Sequence, residues 1–276
     1  DCVTFFNEHD RFDIRYEALK NEVDYFVVIE GSRTFDGQKK DFCFKYENYD
    51  KNKIRYIKIN EFHENISLNY YPEYYDDLSK YRMLDGLYGA NHDDIILISD
   101  CDEIPHPNTL KKIKKIKNSK IGICFQNMVC LDYKHFIKTK WFWFNRWPGT
   151  KFMRFKDLIN PKSLKWFHQP RLYDPRNYLK YNIILDKGFH FSWIGNLEDI
   201  LNKYKVLVNV HRNDSPKEIN EYKNLLHKES IKKVYDTYLE GQNFRLPFCN
   251  YNIKKDDPKK RYDKIFYKVL KEKSLI

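Results

Sequence analysis

Apolar residues along this chain gather in two patterns that alternate: short unbroken runs, and longer stretches with helical spacing. Cys2–Phe6, Asp24–Glu30 and Asp93–Asp100 are unbroken runs, as expected of strands buried on both faces. Ile54–Ile59 alternates like a half-buried strand, and Lys120–Gln126 and Gly188–Trp193 read as further strands. Between them, Arg11–Asn21 places Phe12, Tyr16 and Leu19 on one helical face. Asp76–Ala90 also reads as helical, with Leu78, Tyr81, Met83, Leu84 and Leu87 as its apolar positions, and Pro107–Lys117 carries its proline in a helical first turn. Leu197–Val208 and Pro216–Glu240 read as later helices, whereas Cys130–Tyr181 is irregular, interrupted by Pro148, Pro161, Pro170 and Pro175. Strand–helix alternation predicts an α/β chain with a mostly parallel central sheet flanked by helices. No repeat or linker divides it, so residues 1–276 are expected as a single domain, with a ligand-binding half (1–128) and an irregular second half (129–276).

In such sheets ligands bind beyond the carboxyl ends of the strands. Asn7-Glu8, Glu30 and Asp100–Glu103 should therefore share one edge. The run "IILISDCDEIP" drives four apolar residues into Asp100, Asp102 and Glu103. Carboxylates so placed repel and resist desolvation unless a positive charge intervenes. In an extended segment Asp100 and Asp102 point the same way, and two such oxygen donors suit Mg²⁺ or Mn²⁺ with phosphate oxygens in the remaining positions. The plain alternative is a solvated acidic turn. An aspartyl-phosphate phosphatase also uses a strand followed by D-x-D, but its usual Thr or Val is replaced here by Ile104.

Composition narrows this. With 42% hydrophobic and 32% charged residues the chain is an ordinary folded protein. The net charge of +11 favours anionic partners, phosphorylated small molecules among them. The 17% aromatic content suits sugar or base platforms, and equally a Phe/Tyr-rich core. The six cysteines lack C-x-x-C spacing, which argues against a zinc site and for a reducing compartment. No window approaches the ~18 consecutive apolar residues of a membrane span. A soluble, cytoplasmic protein is the expectation, with a luminal domain as the other reading. A binding module for carbohydrate or nucleic acid, using basic and aromatic surface without catalysis, is the competing functional class.

The segments "FFNEHDRFDIRYEAL", "DYFVVIEGSRTFDGQKK", "ILISDCDEIP" and "GFHFSW" together resemble glycosyltransferase family 17. That group includes the enzyme adding the bisecting β-1,4-linked N-acetylglucosamine to N-glycans. The resemblance implies a GT-A-like, Rossmann-like fold, a nucleotide-sugar donor such as UDP-N-acetylglucosamine, a Mn²⁺ or Mg²⁺ ion, a carbohydrate acceptor and inversion at the anomeric carbon. Cys101 and Phe189 depart from the family's more usual Val and Trp, as does Arg212 from an acidic residue.

The resemblance also implies roles. Asp102 would bind the metal directly, Asp100 through water or by holding the ribose, and His190 would be a third ligand. Arg82 and Arg33 would contact donor phosphates, with Thr34 beside Arg33. Glu8 and Glu30 would lie at the uridine and ribose, braced by Asn7 and Arg15. The base that takes the acceptor proton is sought among Glu103, Asp132, Asp174 and Glu198. Trp141, Trp143, Trp147, Trp166 and Trp193 could stack on sugar rings or pack the core.

Overall fold

The structure is a computed structural model, and it describes residues 1–34, 37–60, 71–117, 121–138, 146–158, 181–196, 198–199, 244–245 and 252–276. Strands β1 (Cys2–Thr4), β2 (Phe26–Gly31), β3 (Ile54–Ile59) and β4 (Ile95–Asp100) form a parallel block in the order β3-β2-β1-β4. Helix α1 (His9–Leu19) connects the first two strands, and α2 (Tyr71–Arg82) continues into a 3₁₀ turn, Met83–Leu87, before β4. The helical run expected to Ala90 thus tightens after Arg82, where Gly86 packs so closely on Val27 that an added Cβ would lie 2.2 Å from its Cγ1.

Beyond β4 the sheet becomes mixed. The two-residue β5 (Glu103–Ile104) leads into α3 (Pro107–Ile113), β6 (Gly122–Leu131), β7 (His135–Lys138), β8 (Arg146–Arg154) and β9 (Asn182–Ile194). Strand β8 is antiparallel to both β4 and β6, while β9 is parallel to β6 and antiparallel to β5. The short β10 (Phe244–Arg245) and β11 (Asn252–Lys255) extend the far edge beside β7, and helices α4 (Pro258–Arg261) and α5 (Lys264–Glu272) close the chain.

The expected irregularity of Cys130–Tyr181 is corrected over β7 and β8, which are regular strands. Their pattern is hard to read because β8 buries Thr150 and Lys151 among its apolar residues and carries Pro148. Proline cannot donate to a ladder, and the register against β6 shifts between Ile123 and Phe125, next to the Phe125–Pro148 pair. Strand β6 runs through residue 128, so no break in the sheet separates the two halves there. The helices expected at Leu197–Val208 and Pro216–Glu240 fall almost wholly outside the described residues.

Both sheet faces are covered. Phe12, Ile14 and Leu19 of α1, Leu110 and Ile113 of α3 and Phe266 and Leu270 of α5 share one core with Phe26 and Val28. Met83 and Leu87 cover Val27, Ile29, Ile96 and Ile98 on the other face. Many aromatics are core. Phe12 meets Phe44 edge-on at 4.9 Å and 84°, and Phe5, Phe26 and Tyr49 extend the cluster, each such pair contributing ~0.5–1.5 kcal/mol beyond burial.

Candidate active site

Because β1, β2, β3, β4, β6 and β9 all run in one sense, their carboxyl ends share an edge. That edge gathers Asn7-Glu8, Glu30, Asp100–Glu103, Asp132 and the residues after Ile194. Asn7 adopts the left-handed conformation (φ 58°), which asparagine tolerates, as β1 gives way to α1. Leu131, at the matching end of β6, also has positive φ (73°), a strained state for a branched side chain.

The D-x-D segment is not extended. After Asp100 the chain turns at Cys101-Asp102 and doubles back as β5, so the two-residue period that aligned the two aspartates does not apply. Cys101 and Asp102 are buried, while Asp100 is half-buried. The turn is held from three sides. Glu103 accepts the Asp100 amide on Oε2 at 3.2 Å and the Trp147 indole N–H on Oε1 at 2.5 Å. The Phe191 amide donates to the Asp102 carbonyl at 2.9 Å. From beneath, the wholly buried Arg15 donates to the Glu103 carbonyl at 2.9 Å and the Ser99 hydroxyl at 2.7 Å.

The β5–β9 ladder sets Glu103 opposite His190, which brings His190 Nε2 to 3.6 Å from Asp102 Oδ1. The Trp147 ring lies over His190, centroids 4.9 Å apart and 32° inclined. Close to this group Gly149 packs tightly on Gln126: a Cβ there would lie 1.9 Å from its Oε1 and would push that amide aside. Among the described residues, no three His, Cys, Asp or Glu side chains converge as a closed metal cage. Asp102 and His190 nevertheless suit a hard divalent ion of the kind that takes one or two protein ligands and fills its other positions with water and phosphate oxygens.

The protein also supplies its own positive charge under these carboxylates. Lys80 of α2 and Lys151 of β8 are both buried. Burial opposes the charge on Lys80, but Asp100 and Asp76 outweigh it and raise its pKa; its Nζ donates to Asp76 at 2.9 Å. For Lys151 burial wins over Glu103 and Asp100, and the pKa is lowered. Burial likewise brings the Arg15 pKa down to about 10, against the opposing pull of Cys101, Glu103 and Asp102. Of the three, Lys80 is the one whose charge Asp100 and Asp76 favour, and it supplies positive charge beside the D-x-D segment.

The other expected site residues divide. Glu8 occupies the N-cap position of α1 without a capping side-chain bond. Beside it Arg11, 17% exposed, pairs with Asp10 at 2.8 Å. Burial disfavours the Arg11 charge, yet Asp10, Glu8, Tyr133 and Asp102 together raise its pKa, which places it in the field of the cluster. The sequence contained a signal for Arg11, since Arg11 and Arg15 are spaced i,i+4 on one helical face. Asp132 and Glu198 lie at the same edge. Asp132 accepts from His135 Nδ1 at 2.6 Å and the Lys134 amide at 2.7 Å but is 41% exposed. Glu198 is exposed at a helical start whose amides Asn196 caps.

Several placements differ from the expected roles. Glu30 is fully buried, and its oxygens accept from Lys40, the Cys43 and Phe44 amides and the Tyr56 hydroxyl, so they fasten a loop. Glu103, with no exposed surface and both oxygens engaged, braces the turn. Arg82 pairs with Asp85 at the end of α2, and Arg33 donates to the Gly37 carbonyl at 3.0 Å. Asp174, Trp141, Trp143 and Trp166 lie outside the described residues, as does the side chain of Trp193. A cleft of about 800 Å³ opens at the opposite edge, lined by Asp24, Tyr25, Lys53, Arg55, Asp93 and Arg154 among others. It contains none of the strand-end cluster.

An α/β sheet with polar residues converging beyond its parallel strand ends is a ligand-binding architecture. The family described as Glycosyltransferase family 17 matches residues 1–147, which include β1 to β7 and the Asp100–Glu103 turn, and the chain belongs to that family. The activity this membership indicates is sugar transfer from a donor to an acceptor. No curated protein matches the chain. Among the described residues no helix is long and apolar enough to cross a membrane.

Proposed function

We propose that the chain is an inverting, metal-assisted glycosyltransferase of GT-A-like fold. On this reading it moves N-acetylglucosamine from UDP-N-acetylglucosamine to a hydroxyl of a carbohydrate acceptor. The observation that carries this reading is the Asp102–His190 pair, 3.6 Å apart at the carboxyl edge of the parallel block. Asp102 and His190 would hold Mn²⁺ or Mg²⁺, and that ion would neutralise charge on the leaving diphosphate. Arg11, partly exposed beside Glu8, is the protein cation facing the donor phosphates. Asp100, half-buried, is left to water or the ribose.

The acceptor oxygen attacks the anomeric carbon as the bond to the diphosphate oxygen breaks, and its proton passes to a carboxylate. Of the four carboxylates considered as base, Glu103 has both oxygens engaged, while Asp132 and Glu198 stand at the open edge. UDP and the new glycoside are the products.

Isothermal titration with UDP and Mn²⁺, together with donor turnover, tests the reading. Wild type should bind UDP tightly only with the metal, and Asp102→Asn should lose both binding and turnover while keeping its melting temperature. Metal-independent turnover, or an Asp102→Asn variant as active as wild type, would sink it. Salt-sensitive oligonucleotide binding without any turnover would favour the binding-module alternative.

A further inference from the structure

We propose that Arg15 is a positioning residue, whose single guanidinium moulds the Asp100–Glu103 turn into the shape in which Asp102 meets His190. This deepens the functional reading above and rests on it for the metal, though not for the turn itself.

Arg15 has no exposed surface. Its Nε and Nη2 each donate to one Asp1 carboxylate oxygen at 2.7 Å, which neutralises the charge and fixes the plane of the group. Were charge neutralisation its whole role, that fork would suffice. The remaining donors instead follow the chain through the turn. Nη2 reaches the Ser99 hydroxyl at 2.7 Å, and Nη1 reaches the carbonyls of Asp100 at 3.3 Å, Cys101 at 3.4 Å and Glu103 at 2.9 Å. Carbonyls in a buried turn need donors, and a planar fork supplies several in one fixed geometry. The Glu103 carbonyl also takes the Thr150 hydroxyl at 2.8 Å, so Arg15 and β8 hold the same peptide from two sides. That peptide enters the two-residue β5, the ladder that sets His190 opposite Glu103. Tilting it moves Asp102 relative to the imidazole. Lysine, a compact charge on a flexible stem, cannot span four acceptors in this way.

The test uses the full chain with Arg15→Lys and Ser99→Ala, the second removing one acceptor and keeping the guanidinium. Backbone hydrogen exchange is followed without ligand, and Mn²⁺ binding in the presence of UDP is titrated. We expect amides 99–104 of Arg15→Lys to exchange at least tenfold faster, while β2 and β3 keep wild-type rates. We also expect Mn²⁺ affinity to fall at least tenfold. Ser99→Ala should shift both readouts in the same direction by less, and it decides the matter if Arg15→Lys does not fold. Unchanged exchange at 99–104 in the folded variants overturns the proposal, as does a uniform rise across the sheet, the mark of general stabilisation. If wild type itself binds no Mn²⁺ with UDP, the metal reading falls and the exchange result still decides the role of Arg15.

Discussion

Replacing Glu30 with glutamine separates two roles that the sequence cannot tell apart: contact with the donor and anchorage of a loop. In the fold, Oε1 accepts from Lys40 at 2.5 Å and the Cys43 amide at 2.9 Å, and Oε2 accepts from the Phe44 amide at 3.0 Å and the Tyr56 hydroxyl at 2.5 Å. A glutamine amide offers one oxygen and one NH₂, so in either orientation its NH₂ faces two donors. The Tyr56 hydroxyl can rotate to accept, but a backbone N–H or the Lys40 ammonium is then left opposed. Stranding one buried donor costs about 1–3 kcal/mol, and the lost charge on the remaining bonds adds to it, for a total of about 2–4 kcal/mol. At roughly 2–4 °C per kcal/mol for a chain of this size, the melting temperature should fall by about 4–16 °C.

The pH dependence adds a second check. Burial pushes the Glu30 pKa up, but bonds from Lys40, Tyr56, Cys43 and Phe44 outweigh it and leave it below the ordinary value of 4.5. A carboxylate with a depressed folded-state pKa stabilises the fold above its unfolded value and loses that contribution as pH falls through the folded one. The gap between wild type and Glu30→Gln should therefore be full at neutral pH and narrow below about pH 4.5. Thermal or urea melts across pH 3–7, with the donor KM measured at neutral pH, provide the assay. Undiminished stability combined with a raised donor KM would refute the anchorage and return Glu30 to the nucleotide.

Two further outcomes follow from the geometry. Arg11→Met should raise the donor KM by about 10–100-fold, the worth of a charge-assisted contact of ~1.5–3 kcal/mol, with little change in melting temperature; a KM within twofold of wild type removes Arg11 from the donor site. Gly188→Ala would set a Cβ 2.2 Å from the Ile104 carbonyl and 2.8 Å from the His106 amide, beside buried Asp186. It should cost at least ~1–3 kcal/mol by overpacking and loosen β5 against β9, which a urea melt and hydrogen exchange at Ile104 would show.

Much of the first half was legible because its signals are local. Val27-Val28-Ile29 and Ile96-Leu97-Ile98 are buried on both sheet faces, and no polar residue interrupts them. The strand-end rule then placed Glu8 and Asp100–Glu103 at a shared edge. Pairings distant in sequence were not legible. Nothing near Trp147 signals that its indole will bond Glu103, and the neighbours of Lys151 do not disclose the carboxylates of Glu103, Asp100 and Asp76 that act on it. Glu30 and Glu103 bond the chain's own donors, which the sequence could not show, because a carboxylate at a strand end reads the same whether its oxygens face a ligand or the protein. The D-x-D period failed because Asp102 lies in a turn, and a two-residue alternation describes only extended backbone.

The family match ends at residue 147, yet Thr150 and His190, which complete the cluster, lie beyond it. What locates the imidazole is the register of β9, set by its long parallel pairing with β6 (Met128 opposite His190) and by the short ladder with β5, rather than the length of chain leading from β8 to β9. A change in the length of that connection would leave His190 in place, provided β9 keeps its register against β6 and β5. Slippage by a single rung would turn it to the opposite face of the sheet.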